Sequence, residues 1–307
     1  MPKSKILFRA DSSSKLGIGH IMRNLVLASL FPKSEITFAS LDLAGNINHK
    51  IKQDGHNLKI LKSHSKENLA RLVNKLECDL LIIDHYEIDK DYESYIKKNT
   101  RVSIMSIDDT YEQHSCDILL NHNIYADEKR YKNLVPKECT LLCGSKYTLL
   151  RVEFHKEVKK LKQKNSKKIK KIFLAMGGTD HSNINIKILK TLKKFKNIEV
   201  NLVTTSANKN LKSLKQYIKN QKCLKLHIDS KKIAKLMRQS DFAIISPSVS
   251  VNEVHFMKLP FIAIKTADNQ NEMYKYLKRK KHLVLKSFNN KELEKKVSTL
   301  LKSLKYA

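Results

Sequence analysis

The sequence predicts an α/β protein built as two successive parallel-sheet halves, and three observations carry that prediction. Short aliphatic runs alternate with longer amphipathic stretches along the whole chain, the pattern of strands feeding crossover helices. The alternation lapses once, in a lysine-dense run near the middle, and then restarts. Each half opens on a strand that runs into a glycine-containing loop, with Gly17 and Gly19 in the first and Gly177 and Gly178 in the second. A chain of 307 residues, 41% hydrophobic, can fill two ordinary cores.

In the first half, Ile6–Phe8 reads as a strand and Ile21–Leu30 as the helix behind it. Ile36–Phe38 is the next strand, followed by a polar helical segment over 46–53. Leu58–Leu61 precedes a helix over 67–76, and Leu80–Ile83 is a fully apolar, buried-type strand. A helix over 89–98, a strand over 102–107 and two short strands at Ile118–Leu120 and Leu141-Leu142 complete this half. Residues 157–170 carry so many lysines and so few apolar positions that they read as a solvated hinge. The expected division is an N-terminal domain over 1–155, a linker over 156–170 and a C-terminal domain over 171–307. The second half repeats the alternation. Strands are expected at 171–176, 200–204, 224–228, 242–246 and 261–264, and helices at 183–195, 211–218, 231–239, 249–257 and 270–281. An amphipathic helix over 290–306 ends the chain. Two such domains facing one another leave a cleft at the carboxyl ends of their strands.

Composition narrows the function. No apolar run approaches the ~20 residues of a membrane helix, and the opening segment lacks the apolar core of a signal peptide, so a cytoplasmic protein without membrane insertion is expected. The five cysteines are scattered and show no zinc spacing, which favours reduced thiols. A formal charge of +30 invites nucleic acid as a partner. However, the excess is mostly lysine, spread end to end, with no interleaved aromatics for base stacking. The expectation is no nucleic-acid partner, with a surface that still attracts a small polyanion such as a nucleotide diphosphate.

Three strand-to-helix loops carry the candidate chemistry. In the first, Gly17 and Gly19 let backbone N–H groups approach a ligand at a helix start. The loop lacks the third glycine of a dinucleotide fingerprint and the lysine of a P-loop. His20 opens the helix, either as a general base working near neutral pH or as a plain helix cap. In the second, Gly177, Gly178 and Thr179 form a candidate diphosphate cradle. In the third, Ser246–Glu253 ends a strand in small hydroxyl residues and begins a helix. Ser248 and Asn252 are substrate-contact candidates there. Glu253 either accepts two ribose hydroxyls or pairs with Ser250 as a capping box. Asp84 and the pair Asp108-Asp109 lie at strand ends, where carboxylates hold metals less often than they form turns; no metal and no cofactor is expected.

The strings RADSSSKLGIGHIMRNLVLA, LLIIDHY, CDILLNHN, LAMGGTD and SVNE occur in that order, and the chain from Lys5 to about Lys281 resembles the UDP-2,4-diacetamido-2,4,6-trideoxy-β-L-altropyranose hydrolases. These belong to pseudaminic acid synthesis for flagellin glycosylation. The resemblance implies a GT-B architecture like that of the MurG-type glycosyltransferases, two Rossmann-like domains facing a cleft. It also implies metal-independent release of UDP from a UDP-linked diacetamido trideoxy sugar, by C–O cleavage with inversion at C1. On this resemblance His20 activates the water, Gly177, Gly178 and Thr179 meet the diphosphate, and Glu253 meets the ribose. Tyr86 and Asn269 match positions on the sugar side, and Arg9 and Asp11 match the loop beneath and are expected, with Gly17 and Gly19, to contact substrate. The tail beyond Lys286 has no counterpart, and either crosses back onto the first domain or hangs free. His255 falls at an expected packing position. The competing readings are a transferase of the same fold, with His20 deprotonating an acceptor, and a non-catalytic nucleotide or nucleic-acid binder.

Overall fold

The computed structural model describes residues 3–161, 170–180 and 182–304. The chain divides into two compact units, Met1–Leu149 and Leu150–Ala307. The first holds β1 (Lys5–Ala10), α1 (Gly19–Ala28), β2 (Glu35–Leu41), α2 (Asn48–Gln53), β3 (Asn57–Leu61), α3 (Lys66–Leu76) and β4 (Leu80–Asp84). It continues with α4 (Lys90–Asn99), β5 (Ser103–Ile107), β6 (Ile118–Asn121) and β7 (Thr140–Cys143). All seven strands are parallel, in the order β3-β2-β1-β4-β5-β6-β7. Alternate residues of β1 serve opposite layers. Ile6, Phe8 and Ala10 enter the core shared with α1 and α2, while Leu7 joins the core under α3 and α4.

The second unit holds α5 (Val152–Val158), β8 (Lys170–Ala175), α6 (Ile184–Leu192), β9 (Ile198–Thr204), α7 (Leu211–Ile218), β10 (Leu224–Ile228) and α8 (Ile233–Gln239). It continues with β11 (Phe242–Ile245), α9 (Val249–Phe256), β12 (Phe261–Ile264), α10 (Asn271–Arg279), β13 (Leu283–Leu285) and α11 (Asn290–Ser303). Its six parallel strands run β10-β9-β8-β11-β12-β13. Both sheets therefore reverse their winding once, between β1 and β4 and between β8 and β11. Ligands of open α/β sheets bind outside the carboxyl ends at such a point.

Two expectations need correction. The tail beyond Lys286 does not hang free: Leu293 and Val297 of α11 are fully buried in the second unit's core, and the helix packs on α6. His255 is exposed on α9 and packs no core. Of the linker expected over 156–170, residues 156–158 finish α5, which packs on α8 and α9, while 162–169 lie outside the described residues. Among the described residues, no helix is long and apolar enough to cross a membrane.

Candidate active site

The winding reversal in the first sheet sets the geometry. Ala10 and Asp84, the last residues of β1 and β4, are register partners. The segment leaving β1 therefore lands beside Asp84. That segment is a tied loop: Ser13 and Gly17 exchange backbone hydrogen bonds, and Ser13 Oγ accepts from the N–H groups of Lys15 and Leu16. Ser12 Oγ accepts from Ile47 N–H and fastens the loop to the segment ahead of α2. Gly17 closes the turn at φ +82°, a left-handed value that disfavours side chains.

The loop delivers His20 in the first turn of α1. The cap residue is Ile18 and makes no side-chain cap, so His20 is not a helix cap. Its Nδ1 lies 2.7 Å from Asp84 Oδ1. A carboxylate only accepts, so the neutral ring carries its proton on Nδ1 and its lone pair on Nε2. The same carboxylate accepts from Arg23 Nε at 2.7 Å and from Asn24 Nδ2 at 2.6 Å. His20, Arg23 and Asn24 are spaced i, i+3, i+4 and so share one helix face. Burial works against the charge on Asp84, but the Arg23 guanidinium and then His20 hold its carboxyl well below the ordinary range. Arg23 Nη1 continues to Asp109 at 2.8 Å, and Asp109 accepts from the Tyr86 hydroxyl at 3.1 Å. The Tyr86 ring stands edge-on to His20, with centroids 4.8 Å apart, and is 49% exposed. An imidazole with a fixed tautomer thus sits beside an open aromatic face. His122, close enough to feel Arg23, Asp109 and Asp84, is fully buried with both ring nitrogens unpartnered among the described residues. Burial, with Arg23 nearby, pushes it down to about 4 and keeps it neutral.

Arg9 and Asp11, expected to touch substrate, are sealed beneath this surface. Arg9 is 0% and Asp11 1% exposed, and they form a two-pronged ion pair at 2.8 and 2.9 Å. Asp11 also accepts from Leu41 N–H at 2.7 Å. Asp11, His64 and His85 place three ligand-type atoms within 4.8 Å of one another, but the donor set does not suit a cation. Arg9 Nη2, which only donates, meets His64 Nδ1 at 2.9 Å, and Glu87 N–H donates to His85 Nδ1 at 3.1 Å. Both neutral rings therefore carry hydrogen on Nε2, and His85 Nε2 turns it toward Asp11 at 3.1 Å. A metal-bound imidazole needs the lone pair there and donates from its other nitrogen. The cluster is an ion-pair network that braces the loop above it.

In the second unit the loops after β8 and β11 lie side by side, since Ser246 N–H donates to Ala175 O. Gly177 takes φ +93° with open space around it, while a side chain on Gly178 would meet Thr205 Oγ1 at 2.9 Å. The helix argument for this loop changes. Asp180 Oδ1 accepts from Ile184 N–H and so places a carboxylate at the start of α6, where it competes with any anion. At the start of α9, the cap residue Ser248 makes no side-chain cap and the first turn holds no acid. Thr179 is half-buried in its loop, Asn252 is buried within α9, and Asn269 is exposed in a turn after β12. Ser250 lies inside α9, so the capping box with Glu253 does not form. Glu253 Oε1 is held instead by Arg151 Nη2 at 3.2 Å.

Arg23 and Asn24 were not among the expected site residues, while Asp84 and Asp109 were singled out at strand ends but read as turn formers. The signal for Arg23 and Asn24 was their helical spacing from His20. The partnership with Asp84 needed the strand order.

No family model matches the chain. It is 42% identical over 276 residues to the UDP-2,4-diacetamido-2,4,6-trideoxy-β-L-altropyranose hydrolase of Campylobacter jejuni subsp. jejuni, covering 90% of this chain and 97% of that protein. Among solved structures, Acinetobacter baumannii MurG superposes with a TM-score of 0.67 at 12% identity, over 99% of this chain and 92% of that one. The UDP-GlcNAc 2-epimerase of Neisseria meningitidis, bound to UDP-GlcNAc, gives 0.60 at 13% identity over 99% and 93%. At such identities the structures speak for the fold alone. The 42% relative speaks for more: the chain belongs to the family of UDP-2,4-diacetamido-2,4,6-trideoxy-β-L-altropyranose hydrolases, nucleotide-sugar hydrolases on a GT-B fold.

Proposed function

We propose that this protein hydrolyses a UDP-linked diacetamido trideoxy sugar at C1, with His20 as the general base. The supporting observation is the 2.7 Å contact of His20 Nδ1 with Asp84, which leaves the Nε2 lone pair for water. The water oxygen bonds to C1 as the C1–O bond to the β-phosphate breaks. The electron pair leaves on UDP, the water proton goes to Nε2, and Asp84 stabilises the imidazolium. Attack opposite the leaving group inverts C1, as in inverting glycosidases. UDP is a good leaving group, so N–H dipoles at a helix start and lysines suffice for its charge. Gly177, Gly178, Thr179 and Ser248 are proposed to contact the diphosphate, Glu253 the ribose, and Tyr86 and Asn269 the sugar. Arg9, Asp11, Gly17, Gly19 and Asn252 act by shaping these loops. Metal independence, a cytoplasmic location and a place in pseudaminic acid synthesis belong to the same proposal.

The test is turnover of that UDP-sugar without added metal, with NMR of the anomeric proton and water enriched in heavy oxygen. Wild type should release UDP, place the label on the sugar and invert C1. His20→Ala should lose at least ~100-fold in rate. Label in UDP would mean cleavage at phosphorus. Turnover only with an added acceptor alcohol would identify a transferase.

A further inference from the structure

Glu253 is not an isolated carboxylate. Its side chain is 14% exposed, and Arg151 holds one of its oxygens at 3.2 Å. The other arm of Arg151 reaches Glu153 Oε1 at 2.9 Å, and the guanidinium lies 5.2 Å from the Phe154 ring centroid. Arg151 is the cap residue of α5, a helix that packs on α9. One cation thus serves two half-buried acids.

We propose that Arg151 is a positioning residue for nucleotide recognition: it keeps Glu253 ionised and aims its free oxygen at the ribose hydroxyls. This rests on the reading of Glu253 as the ribose carboxylate. A carboxylate binds a diol because it accepts from both hydroxyls; once protonated it must spend one oxygen as a donor. Burial pushes Glu253 upward, Arg151 pulls it back, and Glu153 adds to the upward push. Glu153 is itself raised by burial, with Glu157 contributing. Glu157 is paired with Lys160 and Arg238. Arg151 is therefore the cation that opposes protonation of Glu253, and Glu153 is the acid that competes for it. A fixed guanidinium also removes the rotamer freedom that a lone Glu loses on binding.

The experiment is calorimetric titration of the full chain with UDP and with 2′,3′-dideoxy-UDP from pH 5 to 8. Arg151→Ala should weaken UDP about ten-fold near neutrality, leave the dideoxy analogue nearly unchanged, and move the acid loss of UDP binding to higher pH. Arg151→Lys should recover part of the affinity, and Glu153→Gln should move the acid loss to lower pH. Glu253→Gln should weaken UDP, with Arg151→Ala adding nothing on that background. If Glu253→Gln weakens UDP but Arg151→Ala has no effect, or acts equally on both nucleotides, the positioning role is wrong. If Glu253→Gln binds UDP as wild type does, the ribose reading fails and takes this proposal with it.

Discussion

At the scale of single residues, the proposed catalysis rests on one carboxylate that serves several donors. Asp84 receives His20, Arg23 and Asn24 at 2.7 Å or less, and each contact has a different consequence when the carboxylate changes. Asp84→Asn keeps the shape but removes the charge that stabilises a protonated His20. Its NH2 group can also donate to Nδ1, which would move the ring proton to Nε2 and block the base. The expected outcome is a kcat loss on the order of 10²–10⁴-fold with KM changed little, because the ground-state contacts remain. Asp84→Ala should instead cost stability, about 3–5 kcal/mol, since buried Arg23 loses most of its compensation. Steady-state UDP release and urea unfolding of both variants separate the two effects. A kcat for Asp84→Asn within a few-fold of wild type would remove Asp84 from the mechanism.

Among the elements, those that read clearly from sequence were the ones whose apolar pattern is decided by a core. β4 is continuous Leu-Leu-Ile-Ile because both of its faces are covered, and α1 announces itself by its buried stripe. α5 did not read as a helix because only Phe154 is buried within its seven residues, and β13 is three residues long, between His282 and Lys286. The loops of the site were legible because Gly and Ser mark them, whereas the His20–Asp84 contact spans 64 positions and exists only because β1 and β4 are neighbours. A second long-range pair escaped for the same reason. Glu93, buried on α4, accepts from His114 Nδ1 at 2.8 Å, from Ser106 Oγ and from Ser115 N–H. Burial opposes charge on His114, but Glu93 outweighs it and raises the imidazole above its ordinary 6.5. A raised base stabilises the fold fully below the unfolded value of about 6.5 and loses that contribution as pH rises through the folded value. The urea midpoint of His114→Gln should therefore fall furthest below wild type at pH 6, with the gap narrowing by pH 9. A gap independent of pH would mean that the pair contributes packing rather than charge.

For the whole molecule, the buried titratable groups divide unequally between the two units, and this sets their response to acid. In the first unit, burial opposes the charge on Asp11 and Asp84, yet their partners hold both below the ordinary range, with His85 and Arg9 acting on Asp11 and Arg23 and His20 on Asp84. A depressed carboxylate contributes stability above its unfolded value near 3.9 and loses it as pH falls toward the folded value. His122, pushed down to about 4 by burial, contributes above 6.5 and loses that contribution as pH falls through its folded value. All three groups weaken the first unit on acidification; the opposite gain from His114 is already complete below about 6.5. In the second unit the buried acids have the opposite sign. Burial raises Asp180 and Glu253, so their folded forms take up protons before the unfolded chain does and gain stability as pH falls toward 4. His227 and His282 of the same unit are lowered by burial, but they are more open to solvent and weigh less. The net charge of +30 grows as carboxylates protonate, adding a repulsion that salt screens. Urea-dependent hydrogen exchange, read peptide by peptide, should show the first unit losing protection at a much lower urea concentration at pH 3 than at pH 7. The second unit should shift little, and raised salt should reduce both shifts without reversing their order. If the second unit opened first in acid, the buried carboxylates would not govern acid stability, and overall charge repulsion would have to take their place.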